Sequence, residues 1–462
     1  MKFFFKIFSQ VACLSLLLLL CTTAVSSAAS PLAITKSEEL VPVTLKDVWQ
    51  MALDNHESIM IASEELLRSK GDVSRAYSFL LPSLSLDGTY TKYSDELTGT
   101  SGQLLQPESN SRINIRLSQY LYNGGKGFNA IRQAKKKAEA SGLSVDDIRS
   151  GVLLESSVAY FNLVEAGKTL EISKASLARA KEQLRVSKAR FGVGVATRAD
   201  VLRAEAEGAA KVAEVVRAKA TLRNAEHLLA RITKASLPII INDEALFNGT
   251  GFQVDKTLGT LITEASVNRK DLIRLRLSEE IAKEGVGYVR GQFLPVVKIE
   301  GVHTIKDQTP ETAFFLDETT YASITLSFPI FEGGLRRAEL GQAKSKLRQA
   351  ELESLSARRD MELEVRSTYN EMESGRSVIE SFEKQQAFAK ENYLMIFKQY
   401  KHGLADSTDL IDADTELVSA DLNVIKARLD YELSVLKVKV SAGVFLTEVL
   451  AVLNQDNSVK LD

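Results

Sequence analysis

The sequence predicts an α+β membrane protein: a tandem-duplicated unit that gives each chain four membrane-crossing β-strands and several very long α-helices. Three observations carry this. The chain matches itself at a fixed offset over long stretches, ten-residue segments alternate with period two after a proline, and proline-free helical patterns run for about 65 residues.

The duplication is read directly from the residues. Ala52, Asn55, Pro82 and Gly88 recur as Ala265, Asn268, Pro295 and Gly301, an offset of 213. From Leu117, Ser118, Gly124 and Gly125 onward the offset is 209, giving Leu326, Ser327, Gly333 and Gly334; Tyr160, Gly194, Asp200 and Ala204 then recur as Tyr369, Gly403, Asp409 and Ala413. The organisation expected is therefore a leader over 1–29, a first repeat over 30–256, a second over 257–443, and a C-terminal tail over 444–462.

The leader has Lys2 and Lys6, an apolar run from Val11 to Cys21, and small residues at Ala24, Ser26, Ala28 and Ala29, the layout of a secretory signal peptide cut near Ala28 or Ala29. A spanning helix needs roughly twenty apolar residues and this run has about ten. Cys13 and Cys21 both fall inside it, so the exported chain is expected to use no disulfide, no thiol chemistry and no Cys-bound zinc. Bulky Leu20 argues against lipidation at Cys21.

Each repeat opens with a helix, 45–77 and 258–290, stopped before Pro82 or Pro295. Strands follow at 83–93 and 112–122, then at 296–306 and 321–331. In the first pair Leu84, Leu86, Tyr90, Ile113, Ile115 and Leu117 share one face, against Ser85, Asp87, Thr89, Arg112, Asn114 and Arg116 on the other. The second pair repeats this, with Val297, Ile299, Ile324 and Leu326 against Lys298, Glu300, Ser323 and Thr325. A soluble sheet with one wet face alternates likewise; the leader and the ten-residue length favour strands that cross a bilayer. Beyond the Gly-Gly pairs, helices at 124–192 and 334–401 would each extend about 100 Å. Returning helices at 197–234 and 406–443 carry heptads, Val201, Gly208, Val215 and Leu222 in one and Leu410, Leu417, Val424 and Tyr431 in the other, which implies left-handed supercoiling.

Four strands cannot close a barrel, and an open edge in lipid leaves backbone groups unpaired, so the barrel must be shared. Two copies would give eight strands, filled by side chains, and three would give twelve, with room for water. Composition excludes other classes. With 58 Lys and Arg against 60 Asp and Glu, spread along helices, no nucleic-acid footprint is present. His56, His227, His303 and His402 lie far apart, and no phosphate loop, HExxH or nucleophile elbow occurs, so no enzyme, metal site or cofactor is expected.

Over nearly the whole exported chain the sequence resembles the TolC-like outer-membrane efflux proteins, or outer membrane factors. The resemblance rests on the duplicated halves, on Tyr122-Asn123-Gly124-Gly125 with Phe331-Glu332-Gly333-Gly334, and on the helix turns Arg190-Phe191-Gly192-Val193-Gly194 and Gln399-Tyr400-Lys401-His402-Gly403, followed by Asp200-Val201-Leu202 and Asp409-Leu410-Ile411-Asp412. It implies a homotrimer with a twelve-stranded barrel in outer-membrane lipid, and a helical barrel in the periplasm of a Gram-negative bacterium. It also implies a passive exit duct for efflux or type I secretion, coupled through a periplasmic adaptor to an inner-membrane pump of the RND, ABC or MFS type. A periplasmic coiled-coil adaptor or scaffold without a pore is the alternative, although adaptors set one hairpin among several small β-domains. The resemblance places an aspartate ring at the closed end on Asp409 and Asp412, with a latch formed by Tyr400 and Asp200. Where the family has an arginine two residues after the turn glycine, this chain has Ala405. The acids from Asp406 to Asp409 also read as a helix cap and first-turn charges, a role compatible with the ring.

Overall fold

The computed structural model describes residues 43–235, 239, 253–312 and 315–459. The leader over 1–29, with Cys13 and Cys21, lies outside them.

Helix α1 (Leu45–Asn55) starts on a capping box in which the Thr44 hydroxyl and the Asp47 carboxylate each accept the other residue's backbone N–H. The helix expected over 45–77 does not run through. His56 is extended (ψ 126°), ends α1, and starts α2 (Glu57–Tyr77) by accepting the Ser58 N–H on Nδ1 at 3.2 Å. The helix expected over 258–290 is broken at the matching position: Arg269 (ψ 121°) separates α5 (Leu258–Asn268) from α6 (Lys270–Gly291). Neither break carries a proline or glycine. Each is held by side-chain contacts, since Arg269 donates to Asp271 and Glu364 and to the carbonyl of Ser441.

The four long strands form one sheet. β1 (Ser83–Lys92) pairs with β4 (Ser109–Tyr122), β4 with β5 (Val296–Thr309), and β5 with β6 (Glu318–Ser327), all antiparallel. The two halves are thus joined through β4 and β5. A separate ribbon of β2 (Leu97–Thr98) and β3 (Leu104–Gln106) occupies the first strand loop. β4 and β5 reach three residues further into their loops than the alternation marks. β6 stops at Ser327, short of the expected 331, because Pro329 offers no N–H to the ladder.

The register keeps the faces separate across all four strands. Leu86 opposes Ile115, Leu84 opposes Leu117, and Ile299 opposes Ile324. These side chains are exposed, Leu84 by 72% and Ile324 by 70%. The other face is polar and cross-linked: Thr304 donates to Asn114 at 2.9 Å, Lys298 to Glu300 at 2.6 Å, and Arg116 lies 3.5 Å from Glu300. Among the described residues β1 and β6 pair on one side only and are the edges of the sheet.

Gly124 (φ 67°) and Gly125 (φ 76°) turn β4 into α3 (Lys126–Gly192), of 67 residues, so that helix starts two residues later than expected. α4 (Arg198–Thr233) returns along it. The second half gives α7 (Leu335–His402), of 68 residues, and α8 (Ser407–Ser441). Each long helix spans about 100 Å. The segment read as a tail contains a further helix, α9 (Phe445–Val459). Phe445, Val449 and Leu453 are buried in the main core, where Phe445 meets the Trp49 ring edge-on at 5.9 Å.

Candidate gate at the helical end

The ends of α3 and α4, and of α7 and α8, carry all four candidate residues. The first turn, between α3 and α4, uses Gly194 (φ 77°), and the second, between α7 and α8, uses Gly403 (φ 82°). Both returning helices begin with a capping box at equivalent positions. Asp200 accepts from the Thr197 N–H at 2.9 Å and from its hydroxyl at 2.8 Å, and Asp409 accepts from the Asp406 N–H at 3.0 Å. Asp406 in turn accepts from the Thr408 and Asp409 N–H groups at 2.6 and 2.9 Å.

These bonds tune the caps. Backbone and side-chain hydrogen bonds with Thr197 hold Asp200 below the usual carboxylate pKa, and the bonds from the Asp409 and Thr408 backbones do the same for Asp406. A carboxylate lowered on folding stabilises the fold above its ordinary pKa, and that stabilisation is lost as pH falls through the lowered value. The caps are therefore constant from neutral pH down to about pH 5 and weaken only in stronger acid. Replacing Asp406 by Ala is expected to cost about 1 kcal/mol locally. It should speed amide exchange at Thr408 and Asp409, and equal exchange rates in the two proteins would remove Asp406 from the cap.

Asp409 and Asp412 are both exposed on α8. Tyr400 is different, at 1% exposure. It sits in a small core with Val186, Tyr393, Leu410, Ala413 and Leu417, and its hydroxyl pairs with the Ser187 hydroxyl at 2.5 Å. Arg190 of the first hairpin lies over its ring at 4.9 Å and donates to its carbonyl at 2.9 Å. Within one chain, then, the structure joins Tyr400 to Ser187 and Arg190, while the Asp200 carboxylate serves its own helix cap. Ala405 packs on the same core, and the arginine that reaches Tyr400 comes from the opposite hairpin.

Further links between the hairpins have no counterpart among the sequence-derived candidates. Arg203 donates to the Thr408 hydroxyl at 2.7 Å, Gln183 to the Ser407 hydroxyl at 3.0 Å, and Ser176 to Asp414 at 2.7 Å. Ser176, Arg179, Gln183 and Ser187 lie three, four and four residues apart, one face of α3. A polar stripe at helical spacing was the available signal, and taken alone it reads as a solvated face.

A sheet with one apolar outer face and open edges, running directly into helices longer than a compact domain can contain, defines a duct built across a membrane and away from it. Among the described residues no helix is long and apolar enough to span a bilayer. Comparison with known proteins agrees. Residues 48–233 and 261–444 match the family described as outer membrane efflux protein. The chain is 26% identical over 423 residues to the outer membrane protein TolC of Escherichia coli, covering 86% of this chain and 83% of that one. It is 25% identical over 419 residues to the alkaline protease secretion protein AprF of Pseudomonas aeruginosa, covering 88% and 86%. The solved structure of the outer membrane protein VceC of Vibrio cholerae superposes with a TM-score of 0.72 at 18% identity, over 86% of this chain and 96% of that one, which shows the shared fold. The chain belongs to the outer membrane efflux protein family. It is an outer-membrane exit duct reaching into the periplasm, a conduit and not an enzyme.

Proposed function

We propose that three copies close a twelve-stranded barrel and a periplasmic helical tunnel, and that the mouth of this tunnel is the regulated point of the conduit. The observation carrying this reading is the single sheet with a lipid-compatible face and two open edges: unpaired strand groups in hydrocarbon cost several kcal/mol each, and pairing β6 of one copy with β1 of the next removes them. In this reading residues 1–29 are removed on export, and the halves 30–256 and 257–443 descend from one duplicated unit. The hairpin tips, where Val193 is 75% and Leu404 79% exposed, receive a periplasmic adaptor that couples the duct to an inner-membrane pump of the RND, ABC or MFS type.

At the mouth, Asp409 and Asp412 from three copies form a ring of carboxylates around a water-filled constriction, which concentrates cations there. Tyr400, seated on Ser187, keeps the second hairpin closed against the first, and Asp200 contributes from the neighbouring tip. Chromatography with light scattering on the detergent-extracted protein should give three times the chain mass, and planar bilayers should show discrete conductance steps. A monomer that leaves the membrane without detergent would point instead to a periplasmic scaffold.

A further inference from the structure

One acid near the mouth does not face water. Asp414 lies about 160° from Asp412 and about 140° from Asp409 around the α8 axis. It is 8% exposed. Ser176 donates to its Oδ2 at 2.7 Å, and the Arg179 Nε donates to its Oδ1. The Arg179 guanidinium also lies 5.4 Å from the centre of the Tyr393 ring, and Tyr393 stacks on Phe397. Burial first, and then the Asp414 charge, push the Tyr393 hydroxyl up to about 12, so it stays neutral beside the pair. The Asp414 carboxylate is thus held by α3, whose arginine rests against α7, the two long helices on which α8 packs.

Turning α8 about its axis would pull this carboxylate off Arg179, and a buried charge left without its partner is strongly unfavourable. The same turn would swing Asp409 and Asp412 around the helix. We propose that Arg179 and Asp414 are a positioning pair: they fix the rotation of α8, aim Asp409 and Asp412 away from the chain's own core and into the mouth, and tie the two hairpins of one chain together. Gln183 with Ser407, and Ser187 with Tyr400, continue the same stripe toward the tip.

This inference rests on the reading of Asp409 and Asp412 as the ring. It is tested in planar bilayers with lanthanum(III) as the blocking cation. Asp414→Asn and Arg179→Gln are expected to raise the lanthanum concentration for half-block by about tenfold and the closed-state conductance by about threefold, with Asp409 and Asp412 intact and trimer recovery unchanged. Block and conductance equal to those of the unmodified protein would overturn the proposal and leave the pair as packing alone. Should neither variant assemble, Ser176→Ala removes one hydrogen bond and keeps the ion pair. It should move half-block in the same direction by about threefold, and no movement would overturn the proposal equally. The double variant Asp409→Ala with Asp412→Ala separates the two ideas. If it keeps full block, the ring itself is wrong; if it loses block while Asp414→Asn keeps it, only the positioning role fails.

Discussion

Replacing Asp409 and Asp412 together by Ala is expected to abolish block of the channel by multivalent cations while leaving the barrel and tunnel assembled. Both side chains are exposed, and neither contributes packing to the core around Tyr400. In the proposed trimer, three copies of two carboxylates would bring six charges to one constriction, where low-dielectric walls focus their field. Removing them eliminates the local excess of cations. Asp409 also accepts the Asp406 N–H, so the double variant carries a small cost at the cap, at most about 1 kcal/mol per chain. Single variants divide the effects: Asp412→Ala should weaken block with no change in the cap, and Asp409→Ala should do both. Half-block concentrations for a divalent and a trivalent cation, measured from each side of the bilayer, decide the matter. Undiminished block from the helical side in the double variant would assign the constriction to other residues.

The second large effect is expected at the turn from strand to helix. A Cβ on Gly124 would stand 2.1 Å from the Gly291 carbonyl oxygen and 3.2 Å from the Leu294 Cβ, and the contact is mutual, since a Cβ on Gly291 would meet the Gly124 oxygen at 2.4 Å. Gly124 also needs φ 67°. Left-handed backbone costs an ordinary residue roughly 1–2 kcal/mol, but the backbone contact cannot be relieved by rotating a side chain. Gly124→Ala must therefore move the end of β4 away from the end of α6, at the point where the two halves meet. Its counterpart Gly333 has φ 61° and nothing within 4 Å of the added carbon. Gly333→Ala should incur only the conformational cost and reach the outer membrane in near-normal amount, whereas Gly124→Ala should lose the assembled form by more than about tenfold. Quantifying the trimer in outer-membrane fractions of both variants tests this, and equal amounts would show that the close approach is dispensable.

The parts of the fold that follow from short-range periodicity were legible in the sequence. Period-two alternation located all four main strands, and the absence of proline over α3 and α7 gave their length. Breaks made by side chains were not. His56 interrupts a helical pattern without a proline or glycine, and its extended backbone and its capping bond to Ser58 mark a break that the sequence pattern does not show. At α9 the Phe445, Val449 and Leu453 spacing is helical, but its target, the Trp49 and Leu153 region, is distant in the chain. The gate divides the same way. Asp409 and Asp412 stand out through the resemblance to the efflux family, since acids near a helix start by themselves read as a cap. Asp414 looks like one more of them. Its burial depends on which side of α8 meets Arg179, a matter of helix rotation fixed by partners more than 230 positions away in the chain.

The open edges β1 and β6 also bear on the order of events at the membrane. A lone chain in lipid is a strip with two unsaturated borders, and two chains joined side by side still expose a pair of them. Only the closed ring has none. If three copies close the ring, the partly built states are unfavourable in hydrocarbon, and insertion and association are expected to collapse into one step. The rate at which channels appear should then climb faster than in proportion to the supply of exported chains, and modest dilution of that supply should silence the duct out of proportion to the protein removed.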